Sequence, residues 1–171
     1  MKAALVVILF AISAFAQDLS VAAAGSACGP VDTQFVVKTD SVSHAPQLAE
    51  PGKALVYVVE DQKFRVFNDV TARVGLDGAW VGANRGNSYL FFSVEPGEHH
   101  LCTDWTSDWL PNGRLVSLAP LTAEAGKTYY FRVRTSGARY EVPSIDLDRV
   151  NSDEGKLLVA SSPPSVSHPK K

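Results

Sequence analysis

Apolar and polar residues alternate along residues 74–101 in a pattern that predicts paired β-strands. Short apolar runs flank Asp77-Gly78, and an Asp-Gly pair in that position is typical of a type I′ hairpin, since Gly tolerates the positive φ that this turn requires. The run Ser88–Val94 has aromatic and branched side chains on both faces, so we expect it in the centre of a sheet. Pro96-Gly97 then predicts a type II turn, with Pro at the first corner and Gly at the second, after which residues 98–105 are expected to return as an antiparallel partner.

Further strand-like runs follow one another along the rest of the chain, separated by turn signals about every ten residues. Residues 54–59 are apolar on both faces, which predicts a strand that is covered on both sides. Residues 141–150 alternate as well, but Pro143 lacks an N–H for a neighbouring strand and predicts an edge position. Together these runs predict an all-β fold, an antiparallel β-sandwich of roughly seven or eight strands.

The C-terminal part departs from this strand pattern. Asn151-Ser152-Asp153-Glu154 predicts the start of one short helix that ends near Ala160, because Ser is a preferred N-cap residue and acids suit the first turn. Gly155 argues against this helix, since Gly costs about 1 kcal/mol relative to Ala in a helix. Residues 161–171, SSPPSVSHPKK, are rich in Ser and Pro and predict a disordered or loosely docked tail.

The N-terminus has the three parts of a secretory signal peptide. Lys2 is basic, residues 3–15 are apolar and uncharged, and Ala14-Phe15-Ala16 forms a small-x-small cleavage site. The apolar run is shorter than the roughly 20 residues that span a membrane, so we expect cleavage and no membrane span in the mature protein. The predicted organisation is a signal peptide at 1–16, a flexible segment at 17–30, a sandwich domain at 31–160 and the tail at 161–171.

Two cysteines, Cys28 and Cys102, remain after the predicted cleavage. An even pair in an exported protein predicts a disulfide, which would join the N-terminal segment to the central hairpin. Two alternatives stay open. Cys28 is a candidate for lipidation, but residues 25–27 before it lack the Leu expected of a lipoprotein signal. The two thiols are also a candidate metal pair, although no further ligands lie near them in the sequence.

Two motifs resemble a family of short bacterial secreted proteins and lipoproteins that is defined only as a domain of unknown function. Residues 74–82 fit V-x-L-D-G-x-x-V-G, and residues 89–101 fit Y-x-x-x-x-V-x-P-G-x-H-x-L. Residues 53–58 and 124–131 fit the same family, so the resemblance covers most of the chain after Cys28. More loosely, the motifs are similar to PEGA-like and transthyretin-like sandwiches, which have an immunoglobulin-like layout. The resemblance implies this fold and a location in the bacterial periplasm or at the cell surface, and it implies no catalytic residues.

Charge and motif content narrow the function further. The formal net charge is −2 and the pI is about 6.1, so no basic surface suggests a nucleic-acid partner. The chain has no Gly-x-Ser-x-Gly, His-Glu-x-x-His or phosphate-loop motif. We therefore expect a non-catalytic module without a cofactor, which binds an envelope protein or a glycan or has a structural role.

Three tryptophans are the candidate binding residues, Trp80, Trp105 and Trp109. Asp104-Trp105 and Asp108-Trp109 bracket a polar loop, and an exposed Trp can stack on a sugar or insert into a partner. The alternative is that they fill the ends of the core, since Trp is highly buried on average.

Histidines support the alternative function, a metal-binding protein or a metal-dependent enzyme. His99 and His100 are neighbours in a predicted strand and point to opposite faces, so they cannot bind one ion together. Either one would have to meet His44 or His168 in the fold, because a zinc site needs three or four ligands. The simpler interpretation is that these histidines are hydrogen-bonded or lie at the surface.

Overall fold

The computed structural model of the chain describes residues 26–40, 47–61, 71–106, 114–136 and 143–170. Within these ranges the chain forms ten strands and one helix. The strands are β1 (Phe35–Thr39), β2 (Ala54–Glu60), β3 (Thr71–Leu76), β4 (Ala79–Arg85), β5 (Ser88–Val94), β6 (Gly97–Thr106), β7 (Arg114–Ala123), β8 (Thr128–Ser136), β9 (Ser144–Val150) and β10 (Ser165–Pro169). The helix, α1, is Ser152–Ala160. No helix in these ranges is long and apolar enough to cross a membrane.

Two four-stranded sheets pack face to face and enclose the main core. The first sheet has the strand order β5-β2-β8-β9 and the second has the order β4-β3-β6-β7. All described strand pairs are antiparallel except β2 with β8, which is parallel. At one side of the sandwich β7 meets β9, where the N–H of Leu147 donates to Ser117 Oγ (3.1 Å). The prediction of an all-β sandwich is confirmed.

The central strand β2 shows how side-chain alternation builds the core. It is buried at every position, and its residues alternate between two clusters because successive side chains point to opposite faces. One set belongs to the core between the sheets: Ala54, Val56 and Val58. The other set belongs to a second cluster on the outer face of the first sheet, under α1: Leu55, Tyr57 and Val59. The predicted cover on both sides of residues 54–59 is therefore confirmed.

The predicted hairpin corner at Asp77-Gly78 and the predicted edge strand are present. Asp77 and Gly78 have φ angles of 49° and 88°, and a type I′ turn needs positive φ at both corner residues. Gly97, which follows Pro96, has positive φ (140°), but the predicted antiparallel pairing of residues 98–105 with Ser88–Val94 is wrong, since β5 and β6 lie in different sheets. β9 begins directly after Pro143 and lies at the edge of its sheet.

The prediction that Ser88–Val94 lies in the centre of a sheet is wrong. This strand, β5, pairs along its length with β2 alone and ends the first sheet. Its faces are nevertheless both covered, since Leu90 and Val94 belong to the core between the sheets and Tyr89 belongs to the outer cluster. Alternation in the sequence reports which faces are buried, and it carries no information about which edges are paired.

The prediction of a disordered or loosely docked tail at 161–171 is also wrong for residues 161–170. Ser165–Pro169 forms β10 and pairs antiparallel with β1, and this ribbon covers the side where β4 and β5 end their sheets. The serine hydroxyls anchor it, because Ser167 Oγ accepts the N–H of Ala83 (2.9 Å) and Ser165 Oγ bonds Ser88 Oγ (2.6 Å). The composition of residues 161–171 indicates that this segment is polar, but it does not indicate which groups its serine hydroxyls bond.

Residues 26–34, which we call the N-terminal strap, cross the outer face of the second sheet. Ala27 is fully buried, and its carbonyl accepts the N–H of Gly78 (3.0 Å). Cys28 forms the predicted disulfide with Cys102, with the two Cα atoms 5.2 Å apart. The predicted flexibility of residues 17–30 is therefore wrong for 26–30, while residues 17–25 and the predicted signal peptide lie outside the described residues.

Helix α1 is present as predicted, with Asn151 instead of Ser152 as its N-cap. Asn151 Oδ1 accepts the N–H groups of Asp153 and Glu154, both at 3.0 Å. Gly155 has a low helix propensity, but packing explains its presence in this helix. A Cβ at this position would lie 2.1 Å from Cγ of Tyr130. The helix can lie this close to the first sheet only with glycine at the contact.

We expect Gly155→Ala to destabilise the protein by about 1–3 kcal/mol, since an added methyl group in a packed contact forces the helix away from the sheet. The intrinsic helix preference of Ala, about 1 kcal/mol over Gly, acts in the opposite direction. Urea denaturation measures the difference. Leu157→Ala is the matched control, because Leu157 lies in the same helix and is 68% exposed. A Gly155→Ala variant as stable as the native protein would contradict this account of the contact.

Candidate functional site

A groove opens along the edge of β5 with which no other described strand pairs. The N–H of Tyr89 donates to the carbonyl of Pro163 (3.0 Å), and Tyr89 forms an isolated parallel bridge with Pro164. Beyond that bridge β10 leaves β5 to pair with β1, and a cavity of about 350 Å³ lies between the two strands. Three apolar side chains that line it are exposed to solvent: Val81 (37%), Phe91 (37%) and Val166 (50%).

An aromatic cluster supports the β5 side of this groove. Tyr57 lies at its centre and stacks on Tyr130, with ring centroids 5.3 Å apart. Tyr89 and Phe91 tilt against Tyr57, with centroids at 5.8 and 5.9 Å. Burial raises the pKa of the Tyr57 and Tyr89 hydroxyls above their ordinary value, so both phenols are neutral at physiological pH. Tyr89 and Phe91 line the cavity, and Tyr57 packs behind them, so this part of the groove has a packed and uncharged floor.

Among the described residues the candidate tryptophans do not form one surface. Trp105 is 5% exposed and belongs to the core between the sheets. Trp80 lies on the opposite, outer face of the second sheet, because the register of β3 and β4 shifts between Val74 and Gly75 and such a bulge turns the following side chains to the other face. Trp109 lies outside the described residues.

Trp80 helps to hold the N-terminal strap on the second sheet. Its indole N–H donates to the carbonyl of Pro30 (2.8 Å), and the guanidinium of Arg73 lies 4.5 Å above the ring centroid. Arg73 also pairs with the buried carboxylate of Asp104 and donates to the carbonyl of Val31 (2.7 Å). A charge as deeply buried as that of Arg73 is retained only where it is paired and hydrogen-bonded. The structure thus places Trp80 in a strap contact.

The candidate metal-binding histidines do not converge within the described ranges. Both ring nitrogens of His99 are hydrogen-bonded, Nδ1 to Asp77 Oδ2 (2.6 Å) and Nε2 to a backbone carbonyl (2.8 Å). His100 lies on the opposite face of β6, and His168 is exposed on β10. No group of three His, Cys, Asp or Glu side chains in these ranges could hold a metal ion. His44 lies outside them.

A buried polar site at the end of β2 has no counterpart in the sequence analysis. Glu60 is 2% exposed and shares the core-facing side of β2 with Val58, and its Oε2 has no hydrogen-bond partner in the described part of the chain. Asn84 reaches the same region, since its Nδ2 donates to the carbonyl of Val58 (2.9 Å). Desolvation, and secondarily the charge of Asp61, raises the pKa of Glu60 to about 8, so its carboxyl is mainly protonated at neutral pH.

The groove was not found from the sequence because its walls come from distant segments. Tyr89 and Phe91 are visible in the sequence as apolar residues of one strand face, but Val81 comes from β4 and Val166 from the segment predicted to be a tail. The one available signal for the groove in the sequence was Val166, an apolar residue in a Ser/Pro-rich stretch. Comparison of the chain with models of protein families, with curated proteins and with solved structures found no match.

Proposed function

We propose that this chain is an exported, non-catalytic β-sandwich protein that binds a partner in the cell envelope through the groove between β5 and β10. The single observation that carries this proposal is the groove itself, with Val81, Phe91 and Val166 exposed around a cavity of about 350 Å³. Pockets of this size with apolar walls and a few polar groups are the usual binding sites of proteins.

The rest of the molecule supports a binding role for this groove in an exported protein. The disulfide between Cys28 and Cys102 is of the kind that persists in oxidising compartments. The residues that line the groove within the described ranges include no Cys, His or Lys, and Asp40 is the one charged side chain among them. Such a wall suits recognition of an apolar group better than general acid–base chemistry. Membership of the secreted family that the sequence resembles is part of the same proposal.

Site-specific photo-crosslinking in the native host tests the binding role. We expect p-benzoylphenylalanine at position 91 to form a discrete adduct with an envelope component, because Phe91 lies in the wall of the groove and is 37% exposed. The same group at position 157 is the matched control, since Leu157 is more exposed (68%) but does not line the groove. Absence of any adduct from positions 81, 91 and 166 would contradict the proposal.

Export and the metal alternative are tested on the same material. We expect mass spectrometry of the protein from the periplasmic or extracellular fraction to give a chain that begins at Gln17, as the cleavage site predicts. Retention of the full-length chain in the cytoplasm would contradict export. Elemental analysis of the purified protein is expected to find no stoichiometric metal, and one metal ion per chain would favour the metal-binding alternative.

A further inference from the structure

We infer that the groove binds an extended peptide segment of a partner protein, which adds as a further strand to the edge of β5 that no described strand occupies. This inference rests on the proposed binding function and specifies the chemistry of the partner. Recognition by strand addition takes its affinity from main-chain hydrogen bonds and its specificity from pockets for alternate side chains. Here the edge of β5 would supply the main-chain hydrogen bonds, and the wall of the groove would supply the pockets for side chains.

The outer edge of β5 already forms one backbone hydrogen bond near the start of the strand. The N–H of Tyr89 points away from β2 and donates to the carbonyl of Pro163. In an antiparallel pair, residues two apart direct their N–H and C=O groups to the same side, so those of Phe91 and Ser93 point to the same outer edge as those of Tyr89. Within the described residues no strand pairs with that edge beyond the bridge at Pro164. An added strand would continue the pairing that Pro164 begins.

Among the four edge strands of the two larger sheets, β5 is the least protected. β7 and β9 lie against each other. β7 contains Pro120, and β9 contains three charged residues. β4 lies under the ribbon of β1 and β10. Proteins commonly prevent pairing at an edge with Lys, Pro, a bulge or a covering element. β5 has the sequence SYLFFSV, which contains no charged residue and no Pro. An edge without such protection is expected where pairing with another chain is useful.

The side chains around the groove define what the added strand should carry. Alternate residues of a strand point to one face, so every second side chain of the peptide would lie beside Phe91, while Val81 and Val166 line the rest of the groove. Aliphatic side chains fit this wall, since its exposed large residues are apolar and the phenol of Tyr89 in its floor is uncharged. The intervening residues of the peptide would face solvent and can be polar. The partner segment is thus an extended stretch in which apolar and polar residues alternate.

The experiment compares two synthetic peptides on the complete mature protein. The first is N-acetylated and C-amidated Thr-Val-Thr-Val-Thr-Lys, and the second has the same side chains with N-methyl groups on alternate residues, which remove the N–H groups that pair with an edge. We expect the first peptide, at ten times its Kd, to slow hydrogen exchange of the Phe91 amide about tenfold, because only the unbound protein exchanges. The N-methylated peptide should leave this exchange unchanged.

Protein variants assign the effect to the groove. Phe91→Thr keeps a residue that favours strands but removes the apolar wall, and we expect it to weaken binding of the first peptide about fivefold or more, measured by NMR titration. Leu157→Thr is the exposed control on α1 and should bind as the native protein does. Both variants are checked by their amide spectra for an intact fold before titration.

Three results would overturn strand addition. Equal binding of both peptides, with both weakened by Phe91→Thr, would show that the groove binds apolar groups without edge pairing, and the proposed function would stand. Absence of any amide shift with millimolar unmethylated peptide would exclude strand addition, while the crosslinking experiment separately decides the proposed function. Protection of the Phe91 amide that rises with protein concentration in the absence of peptide would identify a second copy of this chain as the occupant.

Discussion

The native protein is expected to become less stable as the pH rises from about 4.5 to 8, and the Glu60→Gln variant is expected to lack most of this pH dependence. In the folded state, burial raises the pKa of Glu60 to about 8, against an ordinary value of 4.5. The folded protein therefore holds a proton that the unfolded chain releases, and folding is favoured most at low pH. The contribution is fully present below pH 4.5 and is lost as the pH rises through 8, with a total on the order of 5 kcal/mol.

The surroundings of Glu60 explain why its proton is retained. The adjacent Asp61 is on the other face of the strand, where it forms a two-point ion pair with Arg132 (3.0 and 2.7 Å). Arg132 is thereby directed to Asp61 and Glu154 (3.2 Å) and is not a partner for Glu60. Ionised Glu60 would be a buried carboxylate without a described counter-ion, which is unfavourable because a charge in the core loses its hydration.

Urea denaturation at intervals from pH 5 to pH 9 measures this effect as the difference between variant and native protein. Other titrating groups contribute equally to both proteins and cancel in the difference. Glu98→Gln is the matched control, since Glu98 is exposed and its loss should leave the pH dependence as it is. Parallel stability curves for Glu60→Gln and the native protein would contradict the buried, protonated state of Glu60.

Removal of the disulfide is expected to cost about 4 kcal/mol of unfolding free energy. Cys28 and Cys102 are separated by 74 residues, and in the chain-entropy model a cross-link over a loop of this length restricts the unfolded chain by about that amount. The double variant Cys28→Ala, Cys102→Ala and reduction of the native protein should give similar losses in denaturant titrations. We expect the fold to persist, because Arg73 and Trp80 still hold the N-terminal strap on the second sheet.

The double variant provides the internal control for reduction. A reducing agent should lower the denaturation midpoint of the native protein and leave that of the double variant unchanged, since the variant has no thiols. The slope of the transition reports a more expanded unfolded state once the loop is open. Equal midpoints for oxidised and reduced native protein would contradict a stabilising cross-link between the strap and β6.

Sequence reasoning was reliable where a local pattern determines local geometry. Asp77-Gly78 predicts its turn because few other residue pairs tolerate positive φ at both corners. The two-sided burial of residues 54–59 follows from alternation, and the Cys28–Cys102 bridge follows from there being one possible partner for each cysteine. In each case the residue types restrict the structure to one answer.

The sequence by itself determined the strand pattern of the sandwich domain, the Asp77-Gly78 turn, the disulfide and the sandwich class. Only the tertiary structure decided that β5 lies at an edge, that residues 165–169 form a covering strand, and that Glu60 is buried. The groove belongs to this second group, because its walls are brought together by the packing of β4, β5 and β10. The physical reason is that alternation specifies which way a side chain points, whereas edges, grooves and buried charges depend on which distant segment comes to lie beside it.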